Sequence, residues 1–118
     1  MRLTKISEII ACGEIIIAVN LLGICWCYDR YKEKLSILNV NGSDTIKSIF
    51  MNKPNESIML VSVRQGMTSY QMKCRYIKIE DLKNGRYEGT QLFSQYVIEF
   101  PDFIEFDELN EVIVTKHD

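Results

Sequence analysis

One apolar run, residues 9–28, restricts the possible folds of this chain more than any other feature of the sequence. It reads IIACGEIIIAVNLLGICWCY, and its 20 residues match the length of a membrane-spanning helix. Basic residues follow it at Arg30, Lys32 and Lys34, as expected on the cytoplasmic side of a span. A small membrane-anchored protein held by residues 9–28 is therefore one interpretation.

Polar and turn-forming residues inside the run favour a different interpretation. Glu14 is a carboxylate, which is costly inside a bilayer, and Asn20 adds a second polar group. Gly13 and Gly23 stand where the chain could turn. The favoured interpretation is a short helix over residues 4–10 followed by a hairpin, with strands at 14–19 and 24–28 joined by a turn at 20–23.

Two segments place apolar residues at positions i, i+3 and i+4, the spacing of one face of an amphipathic helix. They predict short helices over residues 4–10, through Ile6, Ile9 and Ile10, and over residues 45–51, through Ile46, Ile49 and Phe50. Elsewhere the apolar residues alternate or run continuously, as in half-buried or central strands. Further strands are predicted at 35–40, 57–63, 69–79, 91–100, 103–106 and 112–115.

Length and composition fit one ordinary globular unit. The chain has 118 residues, of which 47% are hydrophobic and 25% charged, with only six glycines and two prolines to form linkers. The predicted fold class is α+β: a small single domain over residues 1–118, mainly an antiparallel or mixed β-sheet of about six strands with two short helices.

The four cysteines, Cys12, Cys25, Cys27 and Cys74, contain no C-x-x-C pair. Cys25 and Cys27 fall on one side of a strand, where neighbours rarely meet disulfide geometry. We expect reduced, buried thiols that pack as small apolar side chains, in a reducing compartment such as the cytoplasm. A zinc site built on Cys25-x-Cys27 lacks the usual paired spacing, so no metal and no cofactor are predicted.

No catalytic constellation is evident, and we expect the protein not to be an enzyme. The phosphate-binding glycine motifs of nucleotide enzymes are missing from the sequence. The single histidine, His117, is the penultimate residue, and a general base must be held in a fixed position. A cysteine–histidine pair would therefore need the end of the chain to fold back onto the body.

Charge is distributed unevenly along the sequence. Residues 99–118 carry seven acidic side chains and one basic, whereas residues 1–98 carry nine acidic and 13 basic. Such an acidic segment is either a solvated sheet edge or a docking surface for a basic partner. The partner-binding residues predicted on the second interpretation are Glu99, Asp102, Glu105, Asp107, Glu108 and Glu111.

The leading functional hypothesis is a non-enzymatic protein-binding module that docks this acidic surface on a basic protein partner. Small inhibitors and accessory proteins of mobile elements act in this way, and anti-CRISPR proteins are an analogy in size and charge only. Homodimerisation through an exposed strand is a further expectation.

The alternative hypothesis is a nucleic-acid-binding module that uses the basic and aromatic segment 64–87. Its candidate residues are Arg64, Lys73, Arg75, Lys78 and Arg86, interleaved with Tyr70, Tyr76 and Tyr87. Strand alternation places Tyr70, Met72, Cys74 and Tyr76 on one face and Lys73 and Arg75 on the other, with a bulge expected near Tyr76 and Ile77. An ordinary polar outer strand face therefore explains this segment more simply, and nucleic acid is a less favoured partner than protein.

Overall fold

The computed structural model describes residues 5–40, 44–97, 103–107 and 112–116. Within these ranges the chain forms ten β-strands and one short helix, α1, which lies between β7 and β8. The elements are β1 (Ile6–Cys12), β2 (Ile15–Asn20), β3 (Cys25–Asp29), β4 (Lys34–Ile37), β5 (Thr45–Asn52), β6 (Ser57–Gln65), β7 (Tyr70–Lys78), α1 (Ile79–Lys83), β8 (Thr90–Val97), β9 (Phe103–Asp107) and β10 (Val112–Lys116).

The first sheet contains β1 to β4 in sequence order, and every neighbouring pair is antiparallel. Between β2 and β3 the turn is organised by Asn20, whose side-chain oxygen accepts hydrogen bonds from the N–H groups of Leu22 (3.0 Å) and Ile24 (2.9 Å). Gly23 completes this turn with a φ of +82°, which glycine adopts without strain. The hairpin predicted within residues 9–28 is confirmed.

The second sheet contains β5 to β8, again in sequence order and antiparallel throughout. Its strand β6 is buried at seven successive residues, 57–63, so that both faces of the strand are covered. A continuous apolar run is typical of such a central strand, and the prediction for 57–63 is confirmed.

The main core lies between the two sheets, which therefore form a β-sandwich. Residues from both sheets and from the segments beside them meet there, including Ile15, Ile17 and Cys25 from the first sheet and Ile58 and Leu60 from the second. The sheets are also joined by hydrogen bonds that two backbone N–H groups of β5 donate to the first sheet and its turn. The Ile46 N–H donates to the Gly23 carbonyl (2.9 Å), and the Ile49 N–H donates to the Glu8 carboxylate (2.9 Å).

A smaller apolar cluster lies on the outer face of the second sheet. Met59, Val61, Met72 and Cys74 are buried there, on the side of β6 and β7 opposite to the main core. Strands β9 and β10 pair as an antiparallel hairpin, and β9 lies against β5 at the edge of this sheet.

Both predicted helices are wrong, because residues 6–10 belong to β1 and residues 45–51 to β5. Each strand contains a register shift, at Ser7 in β1 and at Lys47 in β5. One extra residue in a strand returns side chains three positions apart to the same face. Ile46 and Ile49 are both buried in the core for this reason, and the same spacing had suggested a helix.

The fold class is correct only in its coarse part: a small, mostly antiparallel β domain with a little helix. The described residues contain ten strands instead of about six, and one helix instead of two. That helix, α1, begins at Ile79, the last residue of the strand predicted at 69–79. Asn84 ends the helix, Gly85 follows with a φ of +76°, and Leu82 anchors the helix in the core.

The apolar run of residues 9–28 is distributed over β1, β2 and β3. No helix in the described ranges has the length and apolarity needed to cross a membrane.

Candidate protein-interaction face

The outer face of the first sheet is made of apolar side chains from edge to edge. The strand register aligns them in two rows across all four strands. We refer to these eight residues as the apolar face: one row is Ile9, Ala18, Trp26 and Ile37, and the other is Ala11, Ile16, Tyr28 and Leu35.

The apolar face follows from strand alternation. Along β2, Ile15 and Ile17 point into the core, and Ile16 between them points outward. Along β3, Cys25 and Cys27 are buried and Trp26 between them faces the other side. The sheet thus has apolar residues at both its inward and its outward positions, whereas an antiparallel sheet with one solvated face normally carries polar residues outward.

Much of this face is open to solvent. The side chains on the edge strands are the most exposed, at 64% for Ile9, 63% for Leu35 and 58% for Ile37. Tyr28 is 37% exposed, and Trp26 beside it is half-buried. None of the eight residues carries a charge, so no ion would have to be desolvated if another surface covered them. Contiguous exposed apolar patches of this kind mark interaction surfaces.

The acidic residues predicted to bind a partner are only partly within the described residues. Glu105 lies in the middle of β9, where it pairs with Val114 and is exposed, and Asp107 is the last residue of that strand. The other four, Glu99, Asp102, Glu108 and Glu111, lie outside the described residues. That the six acidic residues form one continuous surface therefore remains a prediction.

Three of the basic residues predicted for nucleic-acid binding have acidic partners nearby. Asp44 pairs with Arg64 at 2.9 Å, and the Lys73 ammonium lies 3.9 Å from its second oxygen. Arg86 forms an ion pair with Asp81 at 2.9 Å. The sequence pattern of the segment gave no sign that Asp44, twenty residues earlier than Arg64, would meet it.

Arg75 connects the loops beside the core. Its guanidinium donates hydrogen bonds to the backbone carbonyls of Leu38, Tyr87 (2.7 Å) and Glu88 (2.8 Å). Burial lowers the pKa of Arg75, although Cys25 and Asp44 act in the opposite direction. With its donors satisfied by carbonyls, this side chain stabilises the join between β4 and the segment before β8.

The alternation along β7 is confirmed. The face that carries Lys73 and Arg75 is directed toward the main core, however, so the prediction that it forms a polar outer face is wrong. Met72, Cys74 and Tyr76 belong to the outer-face cluster, whereas Ile77 lies in the main core on the side of Arg75. Both faces of β7 are covered, so Tyr76 and Ile77 need no slip in phase. The register shift lies instead between β7 and β8, where Leu92 is the unpaired residue.

Three of the four cysteines are buried, and all four are free thiols. Burial raises the pKa of Cys25 to about 12 and the pKa values of Cys27 and Cys74 to about 11. A thiol is a nucleophile only as the thiolate, so these groups act as packing side chains. Within the described residues, no three cysteine, histidine or acidic side chains come together in a way that could hold a metal ion.

These features define a small antiparallel β-sandwich with one covered and one open outer face. The chain belongs to the family described as Domain of unknown function (DUF7899), whose model matches residues 1–118. No curated protein and no solved structure is similar enough to match.

Proposed function

We propose that this protein is a non-enzymatic protein-binding module and that its apolar face packs against the apolar face of a second copy. The observation that carries the proposal is the pair of uninterrupted apolar rows across the first sheet. Tryptophan and tyrosine are enriched among the residues that dominate interface energies, and here Trp26 and Tyr28 occupy the inner strand β3.

A second copy is the occupant that the chemistry of the face favours. A surface without charge is electrostatically complementary to itself, and a twofold dimer buries the same patch on both subunits. The small side chain of Ala18 lies directly beside the large ring of Trp26, so the two residues differ most in size at the middle of the face. Two sheets stacked in this way would lie about 10 Å apart, the usual spacing of packed β-sheets.

The area of the apolar face is compatible with that of the centre of a protein–protein interface. With strands about 4.8 Å apart and two rows about 7 Å apart, the apolar face covers roughly 20 by 15 Å. A standard interface buries about 800 Å² on each partner, with an apolar centre and a polar rim. Exposed turns extend the same sheet at both ends, through Leu21 and Leu22 on one side and Tyr31 on the other.

Sedimentation velocity of the full chain over a range of concentrations tests the proposal. We expect a monomer–dimer equilibrium in which Ile37→Lys and Trp26→Lys shift the population to monomer. Ile37 is 58% exposed on an edge strand, so its substitution leaves the fold intact. The matched control is Met67→Lys, at a fully exposed apolar residue in the turn between β6 and β7.

The single tryptophan gives an independent readout, because Trp26 lies within the apolar face. Dilution through the dimer dissociation constant is expected to move its emission to longer wavelength as the ring becomes hydrated. A wild-type chain that sediments as monomer at every concentration would refute self-association. Equal effects of Met67→Lys and Ile37→Lys would show that the apolar face is not the interface.

A further inference from the structure

We propose that a cavity on the outer face of the second sheet binds a small planar organic anion that carries an N–H donor. The cavity has a volume of about 330 Å³ and lies beside the ends of β5, β6 and β7 that are farthest from the β6–β7 turn. This volume is at the lower end of the range found for ligand pockets, so the ligand is small. The site is on the opposite sheet from the apolar face and is independent of the proposed function.

Strand register builds the polar side of the cavity. Asn52 pairs with Ser57, and Ser57 pairs with Lys78, so the three polar side chains stand in one row across β5, β6 and β7. Two residues further along, Met59 pairs with Tyr76 and provides an apolar wall. Amide, hydroxyl and ammonium groups thus lie next to an aromatic ring in one concave site.

An unsatisfied buried atom indicates what the ligand must supply. Asn52 is 5% exposed, and its side-chain oxygen has no hydrogen-bond partner among the described residues. Leaving a buried acceptor without a donor is unfavourable, and such groups in folded proteins are almost always paired. An N–H group of a bound molecule would satisfy this oxygen.

The charge and shape of the ligand follow from the other lining residues. Lys78 is exposed at the rim and has no acidic partner within the described ranges, so it favours a carboxylate or phosphate. Tyr76 also lines the site, and a tyrosine ring is a surface on which a planar molecule can stack. Leu92 also lines the site, and it is the extra residue of the irregularity in β8. Bulges re-aim side chains in this way beside binding sites.

Titration of the ¹⁵N-labelled full chain, followed by NMR, tests the site with matched probes. The carboxylate arm uses 4-aminobenzoate, compared with benzoate, which lacks the N–H donor, and aniline, which lacks the anion. Adenosine 5′-monophosphate is the phosphate arm. We expect 4-aminobenzoate, adenosine 5′-monophosphate or both to shift the Asn52 side-chain amide and the backbone signals of Ser57 and Lys78, with benzoate and aniline binding about tenfold more weakly.

Two substitutions separate recognition from folding. Lys78→Gln is expected to weaken binding of the anionic probes about tenfold with no change in the rest of the spectrum. Asn52→Leu removes the acceptor and is expected to abolish the preference for 4-aminobenzoate over benzoate. The control is Lys34→Gln, at an exposed lysine of the first sheet.

The two anionic probes also show which anion the site binds. A preference for 4-aminobenzoate indicates a carboxylate ligand, and a preference for adenosine 5′-monophosphate indicates a phosphate ligand. Millimolar probe that leaves the Asn52 and Lys78 signals unmoved in both arms would overturn the proposal. So would shifts scattered over the surface, or equal losses of binding in Lys78→Gln and Lys34→Gln.

Discussion

The two outer faces of this sandwich differ in what lies on them. On the second sheet, Met59, Val61, Met72 and Cys74 are at most 4% exposed, and Phe50, Tyr76 and Phe93 pack around them. On the inner strands of the first sheet, the outward side chains Ile16, Ala18 and Trp26 are only partly buried, and Tyr28 is 37% exposed. On its edge strands, Ile9, Leu35 and Ile37 are 58–64% exposed. Both faces are apolar, but only one is covered within the chain.

A strand's hydrophobic pattern therefore indicates that a face is buried, but not which part of the molecule, or which partner, buries it. Strand β6 is buried at seven successive residues because both sides have neighbours from the same chain. Along β2, buried and partly exposed residues alternate although nearly all of them are apolar. An apolar outward face with nothing on it is the part of the molecule suited to an external partner.

The largest expected effect comes from truncating one apolar side chain on each face, Met72 on the inner strand β7 and Leu35 on the edge strand β4. Met72→Ala on the covered face should lower the free energy of unfolding by about 2–5 kcal/mol, because it leaves a cavity. Leu35→Ala on the apolar face should change it by less than about 0.5 kcal/mol in the monomer, since Leu35 is 63% exposed. Urea unfolding at low protein concentration measures both.

Equal losses of unfolding free energy in these two variants would show that Leu35 is as well packed as Met72 and that the two faces do not differ in cover. A loss of unfolding free energy in Leu35→Ala that grows with protein concentration would show that Leu35 is covered only in the associated protein. In that case a second copy covers the apolar face, and the measured unfolding includes dissociation of the dimer together with loss of the fold.

Sequence reasoning predicted the strands best where the apolar pattern had only one explanation. The hairpin at Asn20–Gly23 and the central strand at 57–63 were found because turn residues and continuous apolar runs are local signals. The helices at 4–10 and 45–51 were wrong because a bulge in a strand imitates helical spacing. No local pattern of apolar residues distinguishes a bulged strand from a short amphipathic helix.

The sites were less predictable because they depend on which strands become neighbours. The apolar face requires the register of four strands, and residues 9–28 had been considered as a core hairpin or a membrane span. The pairing of Asp44 with Arg64 and the row from Asn52 to Lys78 likewise join distant segments. A single sequence contains no direct information on such contacts.

An intermediate effect is expected from pH, through the thiol of Cys74 under the covered face. Burial raises its pKa to about 11 from an ordinary value of 9, so the folded state holds this proton more tightly than the unfolded state. Its contribution to stability is complete below pH 9 and is lost progressively between pH 9 and about 11. Urea unfolding across this range should show a steeper decline in wild type than in Cys74→Ala.

Thiol labelling at pH 8 tests directly whether Cys74 is buried on the outer face of the second sheet. Cys74 should react with a disulfide reagent far more slowly in the native chain than in urea, since it is fully buried and protonated. Rapid labelling of native Cys74 would mean that the second sheet's outer face opens readily. The contrast between the two faces would then be one of degree only.

The smallest effect on stability is expected at Glu105, the described member of the predicted acidic docking surface. Because its side chain is exposed on β9, Glu105→Lys should change the free energy of unfolding by less than about 0.5 kcal/mol. If the acidic segment binds a basic partner, the same substitution should reduce capture of that partner from the native host and decrease the salt sensitivity of what remains, because one attractive charge pair is lost. The control is Glu33→Lys, at an exposed acid in the turn before β4. Unchanged capture by Glu105→Lys, together with loss of capture by Ile37→Lys, would assign partner binding to the open apolar face of the first sheet instead of to β9.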